Sequence, residues 1–143
     1  MPSLEQLWNV SDDILYPEAE IFMQRLVNEK GIATLPSSQV AGLQNIANTA
    51  SYRELAHFIR HQRERKWPES KKDIEVFYTE LEKWFTAVKN TRLRNEFHLA
   101  QEGLSNQEID ELMALLAQDF IQHLVAENGL LAVKRASARM KRR

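Results

Sequence analysis

The chain has 143 residues, 43% of them hydrophobic and 27% charged, with four Gly, four Pro, no Cys and a net charge of −1. That composition fits one soluble globular domain; it excludes a disordered chain, a disulfide scaffold and cysteine chemistry, and no apolar run approaches the roughly 20 residues that span a bilayer. The charge is uneven: residues 1–50 sum to −4, 51–95 to +4 and 96–133 to −7 without a single base, while 134–143 sum to +6.

Apolar residues recur at spacings of three and four along the chain, the period of helices with one buried face. Short helical turns are expected around Leu4, Leu7 and Trp8. A helix then begins at Pro17, a favourable first position, buries Phe22, Met23, Leu26 and Val27, and stops at Gly31. Leu35-Pro36-Ser37-Ser38 breaks the chain and opens a short helix carrying Val40, Leu43, Ile46 and Ala47. Ser51 with Glu54 reads as a capping box for a helix that buries Tyr52, Leu55, Ala56 and Ile59. The next is the clearest: Ile74, Phe77, Tyr78, Leu81, Trp84, Phe85 and Val88 fall within an arc of about 120°, flanked by Pro68 and Ser70 before and Asn90 after.

Leu93, Phe97 and Ala100 suit a short helix ending at Gly103, and Ser105 with Glu108 forms a second capping box. From there one long helix is predicted as far as Asn128, closed by Gly129. Ile109, Leu112, Met113, Leu116 and Phe120 share a face, whereas Leu115, Ile121 and Val125 lie outside it and form a candidate partner surface. There is no period-2 alternation, no Asn-Gly or Asp-Gly hairpin and no internal repeat, so no sheet is expected.

Signals for catalysis are weak. The chain has no Gly-rich phosphate loop and no Gly-x-Ser-x-Gly elbow. His57 and His61 have the i, i+4 spacing of a zinc pair, but the residues between are Phe58, Ile59 and Arg60, without the glutamate of His-Glu-x-x-His and with a cation alongside; no metal and no cofactor are expected. Asp12-Asp13 and Asp110-Glu111 read as helix-dipole partners and solvent-facing charge. Gly103-Leu104-Ser105-Asn106-Gln107-Glu108-Ile109 resembles the start of a helix-turn-helix scaffold helix. The residues after Ile109 lack the tight turn, and no Lys or Arg occurs between Arg94 and Lys134 to meet phosphate, so the string reads as a helix cap.

The basic middle segment carries the most information. With Tyr52, Leu55, Ala56 and Ile59 turned inward, Arg53, His57, Arg60 and His61 fall on the other side, and Arg63, Arg65, Lys66, Lys71 and Lys72 extend the series. Guanidinium groups interleaved with imidazoles suit a phosphate backbone. The alternative is a solvated face with pairs such as Arg60 to Glu64. The tail residues Lys134, Arg135, Arg139, Lys141, Arg142 and Arg143 offer a second polyanion contact, or simply a solubilising end.

The string Leu35-Pro36-Ser37-Ser38-Gln39-Val40-Ala41-Gly42-Leu43, followed by Phe58-Ile59-Arg60-His61-Gln62 and Arg65, resembles the small helical subunits of type III CRISPR effector complexes over residues 35–67. The resemblance implies a non-catalytic subunit that stacks in a filament along the guide–target duplex, contacts the backbone of guide or target RNA through basic residues, and packs on other effector-complex subunits or on further copies of itself. Arg60, Gln62 and Arg65 fall on matching motif positions.

The sequence therefore predicts an all-α, single-domain helical bundle of about five or six helices over residues 1–133, with a basic tail at 134–143. Its expected role is RNA-backbone binding, not catalysis. The alternative is a helical protein-interaction adaptor that uses Leu115, Ile121 and Val125. Met1-Pro2-Ser3-Leu4-Glu5 has no signal-like character, so a cytoplasmic location without a membrane partner is expected.

Overall fold

The computed structural model describes residues 1–100 and 103–141; Gln101, Glu102, Arg142 and Arg143 fall outside them. Every regular element among the described residues is helical, and the elements join into five continuous helices.

The first helix, α1, covers residues 4–29 without interruption, combining α-helical Leu4–Val10 and Tyr16–Gln24 with π-helical Ser11–Leu15 and Arg25–Glu29. It opens with a capping box: Ser3 Oγ accepts the Gln6 N–H at 3.2 Å, and Gln6 Oε1 accepts the Ser3 N–H at 2.8 Å. Pro17 therefore does not begin a helix. The π turn immediately before it, closed by the Tyr16 N–H on Ser11 O, widens the spiral where the proline ring would otherwise meet a carbonyl one turn back. The expected stop does occur at Gly31, with φ of 69° and the Ile32 N–H returning to Leu26 O at 3.1 Å.

Helix α2 is Ser37–Thr49 and α3 is Tyr52–Glu64, the latter capped by Ser51 Oγ on the Glu54 N–H. After a 3-10 turn at Glu69–Lys71, α4 covers residues 72–95: Lys72–Ala87, a π turn at Val88–Arg92, then Leu93–Asn95. Asn90 does not end it. Of the short helix expected over Leu93 to Gly103, the described residues up to Ala100 are helical only over Leu93–Asn95. Leu93–Asn95 closes α4, and the chain then turns through His98 (φ 54°), with Phe97 N–H on Arg92 O and Leu99 N–H on Leu93 O. Phe97, Leu99 and Ala100 are nevertheless buried, which accounts for their helix-like spacing in the sequence.

The last helix, α5, spans Asn106–Lys141, 36 residues and about 54 Å at 1.5 Å per residue. Both halves of its capping box with Ser105 form. It passes through Gly129 and continues into the basic segment as far as Lys141. Its buried residues Leu112, Met113, Leu116, Ala117, Phe120, Ile121 and Leu124 occupy an arc of about 180°.

An arc that wide needs more than one neighbour. On one side α1 crosses it, with Phe22 edge-on to Phe120 at 6.1 Å, while Trp84 of α4 stacks flat on Phe120 at 3.6 Å. On the other side α2 lies alongside, with Gln118 reaching Asn48 at 3.0 Å and Asn128 reaching Leu35. The expected partner surface is corrected here: Ile121 belongs to the core and is 1% exposed, Val125 packs half-buried on the core, and of the three only Leu115 stands clear at 46%.

Asn128 is one of two buried polar side chains among the described residues. Its Oδ1 accepts the Leu35 N–H at 2.7 Å and its Nδ2 donates to Leu35 O at 3.1 Å, so one amide satisfies both backbone groups of a buried loop residue. We expect Asn128→Ala to cost about 2–4 kcal/mol, because both groups lose their partner inside the core; urea unfolding checks this. Gly129, one residue on, is exposed within a helix, and an added Cβ would meet nothing within 4 Å. Gly129→Ala is expected to stabilise the protein by about 0.5–1 kcal/mol, read as a higher melting temperature.

Candidate functional site

One open groove of about 1760 Å³ runs between α3, the end of α4 and the start of α5. Burial of Tyr52, Leu55, Ile59 and Gln62 turns Arg53, His57, Arg60 and His61 outward as its α3 wall. From α4, Lys89, Asn90 and Arg94 line the same space. Asn106, Gln107 and Asp110 of α5 also line it.

Lys89 and Arg94 had no signal in the sequence. Residues five apart on an α-helix point about 140° apart, which places these two on different faces. The π turn at Val88–Arg92 stacks residues five apart one turn above another, and so brings both cations to the groove. A π turn has no local sequence mark comparable to a cap or a proline.

The charges around the groove are unequal. Among the described residues, Arg53, Arg60, Lys89 and Arg94 line it, with Glu54 and Asp110 as the acids. Asp110 is already engaged: its Oδ1 accepts the Arg53 backbone N–H at 3.1 Å, at the positive end of α3. Arg60 keeps a loose contact with Glu82 at 3.7 Å and a side chain that is 64% exposed. Tyr52 lies beneath Lys89, whose Nζ is 5.6 Å from the ring centre. Burial, with smaller contributions from Asp110 and Glu82, pushes the Tyr52 hydroxyl up to about 12, so the ring is neutral at physiological pH.

The other members of the expected basic face lie outside the groove. Arg63 is held by Glu82 at 3.0 Å and Glu64 at 3.3 Å, the former a charge contact without hydrogen-bond alignment. Arg65 lies over the Trp67 ring at 4.3 Å, and Lys72 pairs with Glu75 at 3.3 Å. Lys66 and Lys71 are exposed beyond the end of α3. The expected Arg60–Glu64 pair is replaced by contacts to Glu82, an acid supplied by α4. On α5, Lys134, Arg139 and Lys141 are exposed and Arg135 is half-buried, while Arg142 and Arg143 lie outside the described residues.

Ser11, His123 and Asp119 also come together. Ser11 Oγ is 3.3 Å from His123 Nε2, and Asp119 Oδ2 is 3.5 Å from that same nitrogen. A nucleophile–base–acid relay needs the hydroxyl and the carboxylate on opposite ring nitrogens. The cluster instead joins α1 to α5, with Tyr16 edge-on to the imidazole at 5.1 Å. Among the described residues, no three His, Asp or Glu side chains are placed to hold a metal ion, and no helix is long and apolar enough to cross a membrane. Comparison with protein-family models, characterised proteins and solved structures finds no match to this chain.

The raised Tyr52 value sets an alkaline limit. Below pH 10 the hydroxyl is neutral whether the chain is folded or not; as pH rises from 10 towards about 12 it ionises more readily in the unfolded chain, so folded stability falls. We expect Tyr52→Phe to leave neutral-pH stability within about 1 kcal/mol and to move alkaline unfolding to higher pH, as followed by circular dichroism.

Proposed function

We propose that this chain is a non-catalytic RNA-binding subunit that holds a sugar–phosphate backbone in the groove between α3, α4 and α5. The observation that carries the reading is the convergence of Arg53 and Arg60 from one helix with Lys89 and Arg94 from another, while Asp110 is committed to the end of α3. Cations on two walls neutralise successive phosphates without reading base identity. His57 and His61 add donors along the same wall.

The resemblance of residues 35–67 to type III CRISPR small subunits supports placing the chain in an RNA-guided effector complex, where it would lie against guide or target RNA. Neighbouring subunits, or further copies of the chain, would meet the outer surface of α5. Leu130, Val133 and Met140 are 57%, 64% and 77% exposed there, beside Lys134, Arg139 and Lys141. That exposed apolar row is also what favours the second reading, a protein-interaction adaptor for which nucleic acid is irrelevant.

RNA titrations across a salt series separate the two. The wild type is expected to bind with a steep salt dependence, and Arg53→Ala/Lys89→Ala/Arg94→Ala to bind about tenfold or more weakly, its log–log salt slope reduced by about 0.7 per cation removed. A chain ending at Val133 is expected to retain the greater part of the affinity. If the folded wild type binds no RNA at low salt, the adaptor reading takes its place.

A further inference from the structure

Between Gln122 and Met140 the outer face of α5 carries no charge. Gln122, Ala126, Gly129, Val133, Ala136 and Met140 recur at intervals of four and three, all exposed, and Leu130 and Ser137 stand beside them in the same arc of about 120°. Apolar area of this kind stabilises nothing until a second surface covers it. The flank of this face that borders α1 is charged, and its charges are sorted along the helix. Asp119 and Glu127 come before Leu130, and Lys134 and Lys141 come after it. Asp119 and Lys141 are each eleven residues from Leu130, while Glu127 and Lys134 are three and four away. The acids hold only loose contacts within the chain, 3.5 Å from Asp119 Oδ2 to His123 Nε2 and 3.4 Å from Glu127 Oε1 to Gln24 Nε2, and both lysines are exposed.

We propose that α5 pairs with α5 of a second copy of this chain, antiparallel about Leu130, so that Lys134 and Lys141 of each copy meet Glu127 and Asp119 of the other. Antiparallel helices related by a two-fold axis set like flanks side by side, and in that arrangement the sorted series complements itself. A parallel pair sets the charged flank against the opposite one, which leaves both acids without a base and brings Arg139 towards the lysines. The antiparallel register also covers what the bundle leaves bare. Residues 132–141 lie beyond the last core residue, Leu131, and here they cross the packed turns at 119–127 of the second copy, beside the exposed Tyr16 ring that stands edge-on to His123. The contact is isologous and closes at two copies, so it is distinct from the filament stacking that the resemblance implies. It goes beyond the RNA-binding reading and does not depend on it.

The test uses the full chain without RNA. Sedimentation equilibrium is expected to show a reversible dimer that weakens as salt rises. The chain has no Cys, so one introduced cysteine reports the register. In the antiparallel pair residue 130 lies beside its own counterpart, whereas residue 140 lies about 30 Å from its own along the axis. Mild oxidation is expected to link Leu130→Cys into a covalent dimer and to leave Met140→Cys unlinked, because a disulfide needs Cα atoms within about 7 Å. Lys134→Glu/Lys141→Glu and Asp119→Lys/Glu127→Lys are each expected to dimerise at least about tenfold more weakly than the wild type. An equimolar mixture of the two is expected to recover the dimer, since each supplies the charges that the other lacks.

A chain that stays monomeric at every concentration would overturn the pairing and leave the face to a helix of another protein. Met140→Cys linking as readily as Leu130→Cys would overturn it by showing a parallel contact, and a dimer indifferent to Lys134→Glu/Lys141→Glu would overturn the charge register. The cysteine and lysine positions are exposed, so these outcomes stand even if Asp119→Lys/Glu127→Lys is unstable. A monomer that binds RNA removes the pairing alone, and a dimer that binds none removes only the RNA reading.

Discussion

The half-circumference of apolar side chains on α5 governs the rest of the architecture. An arc of about 180° cannot be covered by one helix, whose own buried stripe is narrower. Residues Leu112 to Leu124 therefore draw α1 to one side and α2 to the other, and Phe120 is enclosed by Phe22, Trp84 and Phe85. Covering both sides makes the chain pass from α1 to α2 through a loop that buries Ile32 and Leu35 against the core. Asn128 supplies that loop with an amide from within the same long helix.

A second network holds α4 against α1. Arg92 bonds both carboxylate oxygens of Glu18 and also Glu96 at 2.7 Å, while the Trp84 indole N–H donates to Glu18 at 3.0 Å. Glu18 thus receives donors from two residues of α4. This raises the Arg92 guanidinium further above its ordinary value, chiefly through its bond to Glu18, and holds Glu96 below the usual carboxylate range. Arg92 lies within the π turn, so the network fixes the segment that directs Lys89 and Arg94 into the groove. The positions of the groove cations follow from packing on a different face of the same helix.

Much of the fold was legible in the sequence, because buried faces repeat with helical period. The core of α4 from Ile74 to Val88, the buried faces of α2 and α3, the caps at Ser51 and Ser105 and the stop at Gly31 all occur where the pattern places them. Boundaries were less legible. Pro17 and Gly129 each read as the edge of a helix, yet a π turn accommodates the first, and about 1 kcal/mol is too small a cost for the second to end a well-packed helix. One wall of the groove was visible, since Arg53, His57, Arg60 and His61 lie on a single α-helical face. The other wall was not, because Lys89 and Arg94 share a face only after a π turn. Nor could the sequence show that Arg63 would be held by Glu82, an acid nineteen positions away on another helix.

Beyond Leu131, α5 leaves the core and runs on with little tertiary support. Ten residues of helix reach about 15 Å, and a segment that short does not hold helical form in water alone. Its order is borrowed from the packed turns upstream, which act as a nucleus already in place. The free energy needed to open a backbone hydrogen bond should therefore decline from the core towards Lys141, giving a gradient of amide protection along one uninterrupted helix. Lys134, Arg135, Arg139 and Lys141 are thus held as a directed arm whose stiffness fades with distance. A partner meeting its far end would set the last turns by contact, at little cost to the bundle beneath.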